Sequence, residues 1–328
     1  MSEAYRAAQG AAAAKLAVDG AAAAILGSLF PSQIALVRAI ATEPSGAVSR
    51  ASYQLGQGIG LAALDARKED GSTTSIPYVP QEGPGQWRRT PPALRPPELP
   101  QWGAVRPFAL KDVDSFLPPA PPALDSAPYI AALNEIQSIG SATPKSRSAW
   151  QTKTAQFWSD FSYTASPPGH WNEMLCQIAE DRELQLAETI QLMARMNTAM
   201  ADAAIVCWRA KYRYHFWRPV TALRVNSIST EEPWKPFLPT PPHPEYVSGH
   251  SSFSGAAAAV LEHHFGTDNL SFTARSDTVP ETRNYRSLKA CAEEISASRV
   301  FAGIHFSFSC QAGLALGRHV AHSQAGLA

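Results

Sequence analysis

From Ile76 to Pro122 prolines dominate the chain, interspersed with Gly83, Gly85 and Gly103 and with Trp87 and Trp102. Proline fixes φ and lacks an amide proton, so such a stretch forms neither helices nor central strands. A flexible linker of that length is poor in aromatic residues. The tryptophans therefore predict a long ordered strap, 76–122, laid across a body built by the rest of the chain.

That body is predicted to be helical. Two helices are expected at about 7–29 and 32–42, separated by Phe30-Pro31-Ser32 with Ser32 as N-cap, and a third at 47–68, ended by Asp70-Gly71. Others are expected at 126–140 and 146–162. Across 170–200 the residues Trp171, Leu175, Ile178, Leu184, Leu186, Ile190, Leu192, Met193 and Met196 return to one broad apolar face. That pattern runs on, with a bend, through 201–210 to Trp217, where Pro219 marks its end. A second proline-rich loop follows at 231–244, then a helix at 251–265, a polar loop at 267–285, and helices at 288–302 and 309–321. Strand-like alternation is nearly absent. The expected class is all-α, a helical bundle with long ordered proline-rich loops, read as one domain over 1–328 whose half from 170 to 328 carries the chemistry.

Charge and cysteine usage narrow the function. Lys+Arg and Asp+Glu balance at 28 each, which argues against a nucleic-acid or membrane-surface partner. The four cysteines, Cys176, Cys207, Cys291 and Cys310, lie far apart without a CxxC pair, so buried thiols are expected rather than a disulfide scaffold or zinc ribbon. No apolar run is read as long enough to span a bilayer. The alanine-rich start is interrupted by Lys15 and Asp19 and is taken as an amphipathic helix, not a signal peptide, with a cytoplasmic location as the default.

Three short blocks concentrate the chemistry: Lys211 with Arg218-Pro219, Ser248-Gly249-His250, and Ser298-Arg299 with His305 six residues beyond the arginine. Lys211 and Arg218, seven apart, are expected on one helix face, within about 20° of each other. By itself this reads as a solvated basic face. The intervening Tyr212, Tyr214, Phe216 and Trp217 are too aromatic for that. Ser248 and Gly249 sit at a loop-to-helix junction, where unpaired amides and the helix dipole favour an anion. Alone, this block reads as a plain N-cap beside an incidental histidine. Arg299 and His305 are about 120° out of phase on a continuous helix and meet one ligand only if the helix ends between them, with Gly303 as the place for it. Three fixed cations, a hydroxyl, an amide and two imidazoles together suit a tightly held tetrahedral oxyanion. One imidazole would bond its central atom and the other would move protons.

The order K-x6-RP, SGH, SR-x5-H resembles the signature shared by vanadium-dependent haloperoxidases and type 2 phosphatidic acid phosphatases. The stretches KYRYHFWRPVTALR, PPHPEYVSGHSSFSGAA and SRVFAGIHF are similar to the bacterial haloperoxidase branch, as are the PGQWRRTPP, PQWGAVRPFAL and PPALDS segments. The likeness starts near residue 10, and members of that branch carry further helices upstream, so the chain is read as N-terminally short. The resemblance implies a helical bundle of the haloperoxidase and acid phosphatase type, with vanadate as cofactor and phosphate as competing anion. It implies His305 as the vanadium ligand; Lys211, Arg218 and Arg299 neutralising the oxygens; Ser248 and Gly249 hydrogen-bonding them; and His250 as acid–base group. It also places Trp208 and His243 in the halide pocket. Where fungal chloroperoxidases have phenylalanine and algal bromoperoxidases histidine, this chain has His243, which favours bromide or iodide over chloride. An imidazole there is expected to titrate near neutrality and to bring in water.

Two positions depart from the pattern. Val247 stands where proline is usual, and Ser309 where many members have the aspartate that supports the ring of the metal-binding histidine. That ring needs an acceptor on its other nitrogen, for which a backbone carbonyl or Ser309 remains. The expected partners are hydrogen peroxide, a halide and a small organic acceptor, with no nucleic acid and no membrane span; a homodimer is left open. The rival reading is an acid phosphatase working through a phosphohistidine at His305. A third is a binding protein that keeps the anion site without catalysis. His263-His264 reads as a helix surface, and Pro168-Gly169-His170 as the start of a helix.

Overall fold

A computed structural model describes residues 10–161, 163–225 and 233–325. Residues 7–9 of the first expected helix and 231–232 of the second proline-rich loop lie outside them. Eleven α-helices and one short hairpin make up the described residues, an all-α fold. In chain order the helices are α1 (Ala11–Leu29), α2 (Ile34–Ile40), α3 (Ala47–Arg67), α4 (Ala127–Ile139), α5 (Ala149–Phe157), α6 (Ser166–Asp181), α7 (Leu186–Tyr214), α8 (Pro219–Val225) and α9 (Gly249–Phe265). The hairpin strands β1 (Phe272–Arg275) and β2 (Thr282–Tyr285) follow, then α10 (Leu288–Phe301) and α11 (Ser307–Ala325). The chain divides into two compact units, Met1–Asp70 with Ala179–Arg195, and Gly71–Ile178 with Met196–Ala328.

In the first unit α1 packs on α3 through small residues, with Ala17 and Ala21 buried against Ile59. The expectation that no segment is long and apolar enough for a membrane needs correcting. Ala12–Leu29 reaches a mean hydropathy of 1.4 with 22% of the window buried. Lys15 and Asp19 do not interrupt the helix; they pair with each other at 2.9 Å, one turn apart.

The second unit holds the chemistry-bearing blocks. Its core is built on large side chains, among them Trp87, Trp158, Trp171, Phe157, Phe306 and Ile136. Helices α9, α10 and α11 pack against one another. The run Ser251-Ser252-Phe253-Ser254-Gly255-Ala256 lets α9 and α11 approach backbone to backbone: a Cβ on Gly255 would collide with the Leu314 carbonyl oxygen. Trp171 Nε1 donates to Ser254 Oγ at 3.0 Å and ties α6 to the same helix.

Across 71–126 the backbone carries only two short 3-10 turns among the described residues, Trp102–Ala104 and Asp114–Phe116. It is held by partners from elsewhere in the unit. The buried Asp202 carboxylate accepts from the amides of Phe108, Ala109 and Leu110 at 2.7 to 3.0 Å. Three tyrosine hydroxyls donate to its carbonyls: Tyr212 to Glu98, Tyr214 to Pro118 and Tyr246 to Pro119. Trp87 is fully buried.

Three expectations change. The long helix expected from 170 to 217 is two helices, because Arg182–Gln185 breaks it and Glu183 takes φ 52°. Helix α7 then ends at Tyr214, His215 adopts φ 50°, and Pro219 opens α8 instead of terminating a helix. Proline suits the first turn of a helix, where its missing N–H has no partner to lose. The loop expected at 267–285 contains the antiparallel hairpin, pairing Phe272 with Tyr285 and Arg275 with Thr282. Of the four cysteines expected to be buried, Cys207, Cys291 and Cys310 are, whereas Cys176 is exposed.

Candidate active site

All the site residues expected from the sequence converge in the second unit, but not by the expected route for Lys211 and Arg218. They do not share a helix face. Lys211 lies in the last turn of α7, while Arg218 sits in the turn before α8. What gathers them is the 243–247 loop. Lys211 Nζ donates to the carbonyls of Pro244 and Glu245 at 3.0 Å and of Val247 at 2.5 Å, so all three of its protons hold that loop. Arg218 Nε donates to His243 O at 2.9 Å and Nη1 to Ile304 O at 2.8 Å. Both side chains are fully buried. Burial pushes Lys211 down to about 8 and Arg218 to about 10, values at which both remain cations at neutral pH.

Ser248 is the N-cap of α9, and its Oγ accepts from Ser251 Oγ at 3.0 Å and from the Ser251 amide at 3.4 Å. Its own hydroxyl proton is left to donate. Gly249 is the first residue of that helix, under the Trp208 ring. Helix α10 stops at Phe301, and Gly303 takes φ 79°, a left-handed conformation that reverses the chain. A Cβ there would also strike the Gly140 carbonyl. This turn brings His305, before α11, to the same side as Arg299, as the spacing predicts.

The two histidines have different surroundings. His305 Nδ1 lies 2.8 Å from Glu245 Oε1, which also accepts from the Phe306 amide at 3.0 Å. With Nδ1–H donated to the carboxylate, Nε2 carries the lone pair, and Arg218 Nη1 meets it at 3.1 Å. Burial and the nearby cations Arg218 and Lys211 keep His305 from taking a second proton and hold it well below the usual imidazole value. Burial raises Glu245 to about 7 against the pull of Arg218 and Lys211.

His250, in the first turn of α9, has Arg299 Nη1 2.6 Å from its Nε2 and Asp160 Oδ2 3.3 Å from the same atom. Burial and the Arg299 charge lower it to about 4 despite Asp160. Arg299 is 1% exposed, and its Nε and Nη2 have no hydrogen-bond partner among the described residues.

Glu245 and Asp160 are absent from the sequence reading. Glu245 occupies the role assigned there to a carbonyl or Ser309; Ser309 Oγ instead reaches Glu245 O at 3.5 Å. The available signal was a lone carboxylate inside the proline-rich turn Pro241–Val247. Asp160 gave none, since it stands ninety positions from His250 in a segment expected to be helical; α5 ends at Phe157.

A cleft of about 520 Å³ opens over these groups, lined by His243, Trp208, Gly249, His250, Arg299 and His305, with walls from Phe161, Tyr163 and Pro239 to Pro242. Trp208 and His243 face each other with ring centroids 5.2 Å apart. His243 Nδ1 meets Arg218 Nη2 at 3.0 Å. Burial, Lys211 and Arg218 hold it well below the usual imidazole value, so it does not titrate near neutrality as expected but stays neutral.

The VCPO second helical-bundle domain family matches residues 191–328. The vanadium chloroperoxidase of Curvularia inaequalis is 27% identical over 166 residues, 43% of this chain and 26% of that protein, so the match spans about a quarter of that relative. A bacterial vanadium-dependent iodoperoxidase of known structure is 31% identical, with a TM-score of 0.74 over 90% of this chain and 71% of its own. A holo-type bacterial vanadium-dependent chloroperoxidase shares the fold at 18% identity, with a TM-score of 0.75 over 96% of this chain and 82% of its own.

Proposed function

The chain belongs to the vanadium-dependent haloperoxidase family, and on that premise we propose that it oxidises halide with hydrogen peroxide at a vanadate held in this cleft. The observation that carries the reading is Arg299: a buried guanidinium whose Nε and Nη2 lack partners among the described residues, beside the N-terminus of α9. Three buried cations face two carboxylates, Glu245 and Asp160, and a buried charge left uncompensated costs several kcal/mol. A tetrahedral oxyanion supplies the missing charge and acceptors.

When bound, vanadate supplies a Lewis acid that activates peroxide without changing oxidation state. The protein does the rest. Glu245 fixes the tautomer and orientation of His305, leaving Nε2 as the ligating atom. Arg218, Arg299 and Lys211 neutralise the oxygens, Lys211 through its charge, since its protons hold the 243–247 loop. Ser248 Oγ–H and the Gly249 amide donate hydrogen bonds. His250, kept neutral, accepts a proton from incoming peroxide and returns one to the departing oxygen.

Halide enters between Trp208 and His243. The neutral imidazole makes this wall polar, which weakens the oxidant and favours bromide or iodide over chloride. Hypohalous acid then meets a small organic acceptor in the proline- and aromatic-walled cleft. Phosphate competes for the anion site.

One observation favours a second use of the same pocket. Glu245 supplies His305 with the carboxylate missing at Ser309, which keeps the ring fit to act as a phosphohistidine nucleophile. The two readings separate in one assay of the apo-protein with and without orthovanadate. Peroxide-dependent bromination that requires vanadate supports the first. Hydrolysis of p-nitrophenyl phosphate without bromination under either condition overturns it.

A further inference from the structure

We propose that His170 is a positioning residue that sets the proton affinity of His250 through Asp160. The carboxylate lies between the two rings: Asp160 Oδ1 is 3.1 Å from His170 Nδ1, and Oδ2 is 3.3 Å from His250 Nε2. Side-chain exposure is 2% at Asp160 and 3% at His170, so water does not screen this contact. Each oxygen serves a different imidazole.

His170 has no other visible task. Its ring packs edge-on against Trp158 with centroids 5.5 Å apart, and neither ring nitrogen makes a hydrogen bond among the described residues, so Nδ1 meets Asp160 as an ion-pair contact at 3.1 Å. A histidine buried only for packing would be held neutral by desolvation. Here burial does push it down, but the Asp160 contact and the more distant Glu173 and Asp277 outweigh that, and the net shift is upward. Asp160 responds in kind: burial alone would raise it, yet His170 and His250 hold it well below the usual carboxylate range. A protonated His170 against an ionised Asp160 is a buried pair with no net charge.

That neutrality adds to burial and the Arg299 charge in keeping the proton affinity of His250 low. The groups facing its ring are Arg299, whose Nη1 is 2.6 Å from Nε2, Asp160 on the same nitrogen, and His170 behind the carboxylate. With His170 charged, the attraction of Asp160 for a proton on His250 is largely cancelled, and His250 Nε2 stays an acceptor for the Arg299 N–H. With His170 removed, the full carboxylate charge faces His250. Nε2 then holds a proton up to a higher pH, and below that raised midpoint it can neither accept from Arg299 nor take a proton from peroxide. An opposite charge at this distance shifts an imidazole by about one to three pH units.

The inference rests on His250 being the acid–base group of the proposed reaction, but its test does not. Ring nitrogens are followed by long-range 1H–15N correlation spectra in the anion-free protein across pH. His170→Gln should raise the His250 midpoint by about one pH unit, and Asp160→Asn should lower it. In the Asp160→Asn background, His170→Gln should change nothing. If His170→Gln leaves the His250 midpoint unmoved, or moves it equally in both backgrounds, the proposal is wrong. The wild-type spectra decide the matter if a variant does not fold: His170 must titrate above His250, and the reverse order overturns the assignment. Peroxidase assays then read the consequence separately, as an upward shift of the acid limb in His170→Gln.

Discussion

The two walls of the cleft each pair a histidine with a carboxylate, yet they are built differently. On the His305 wall the pair is closed. Glu245 meets Nδ1 at 2.8 Å and is itself tied to the Phe306 amide, Arg218 contacts Nε2, and Lys211 spends all three protons on the 243–247 loop. On the His250 wall the contacts are open. Asp160 stands at 3.3 Å, the same nitrogen also meets Arg299, and two Arg299 nitrogens have no partner among the described residues. A closed pair fixes a lone pair in space, as a ligand requires. An open pair lets a proton come and go.

The largest expected effect comes from opening the closed wall. Lys211→Met removes three charge-assisted hydrogen bonds and leaves buried carbonyls unsatisfied, which should destabilise the fold by about 3–5 kcal/mol. Denaturant unfolding measures it, and a loss under about 1 kcal/mol would mean the loop is held by other contacts. Glu245→Gln is milder: the ring keeps a partner but loses its anionic acceptor, so vanadate affinity should fall about 10- to 100-fold. Unchanged affinity would remove Glu245 from the ligand's support.

Acid should act on the three depressed histidines in the same direction, partly offset by Glu245, raised to about 7, and by the raised His170. His250 is lowered to about 4, and His243 and His305 lie well below their ordinary value. Between the ordinary imidazole value and about 4 the unfolded chain binds protons that the native state refuses, so stability should fall as pH falls through that window. Activity dependent on neutral His250 should persist into the same range. A stability that rises between pH 6.5 and 4 would contradict the depressed histidines. The smallest effect is expected at His243→Phe, which should raise chloride turnover relative to bromide at matched peroxide. An unchanged ratio would place halide choice elsewhere.

The two walls also differ in how far the sequence discloses them. Lys211, Arg218, Ser248, Gly249, His250, Arg299 and His305 stand in short blocks whose residue types already specify an oxyanion pocket, and Gly303 marks the turn that joins Arg299 to His305. The carboxylates are legible only in three dimensions. Glu245 is a single charge in a proline-rich turn, and nothing local says which ring it meets. Asp160 and His170 are separated from His250 by whole helices. The break at Arg182–Gln185 escapes for a different reason: the apolar face continues on both sides of it, so periodicity alone reads one helix. The β1–β2 hairpin is too short, at four residues per strand, for alternation to stand out.

The division of labour between the two walls is tested most directly by titrating orthovanadate into the wild-type protein and into His305→Ala and His250→Ala, following melting temperature. At 100 times the dissociation constant the wild type should gain about 2.7 kcal/mol, a shift of a few degrees. His250→Ala should keep most of that shift while losing turnover, and His305→Ala should lose the shift and all activity. Equal vanadate binding by the two variants would contradict the assignment of His305 as ligand and His250 as proton carrier.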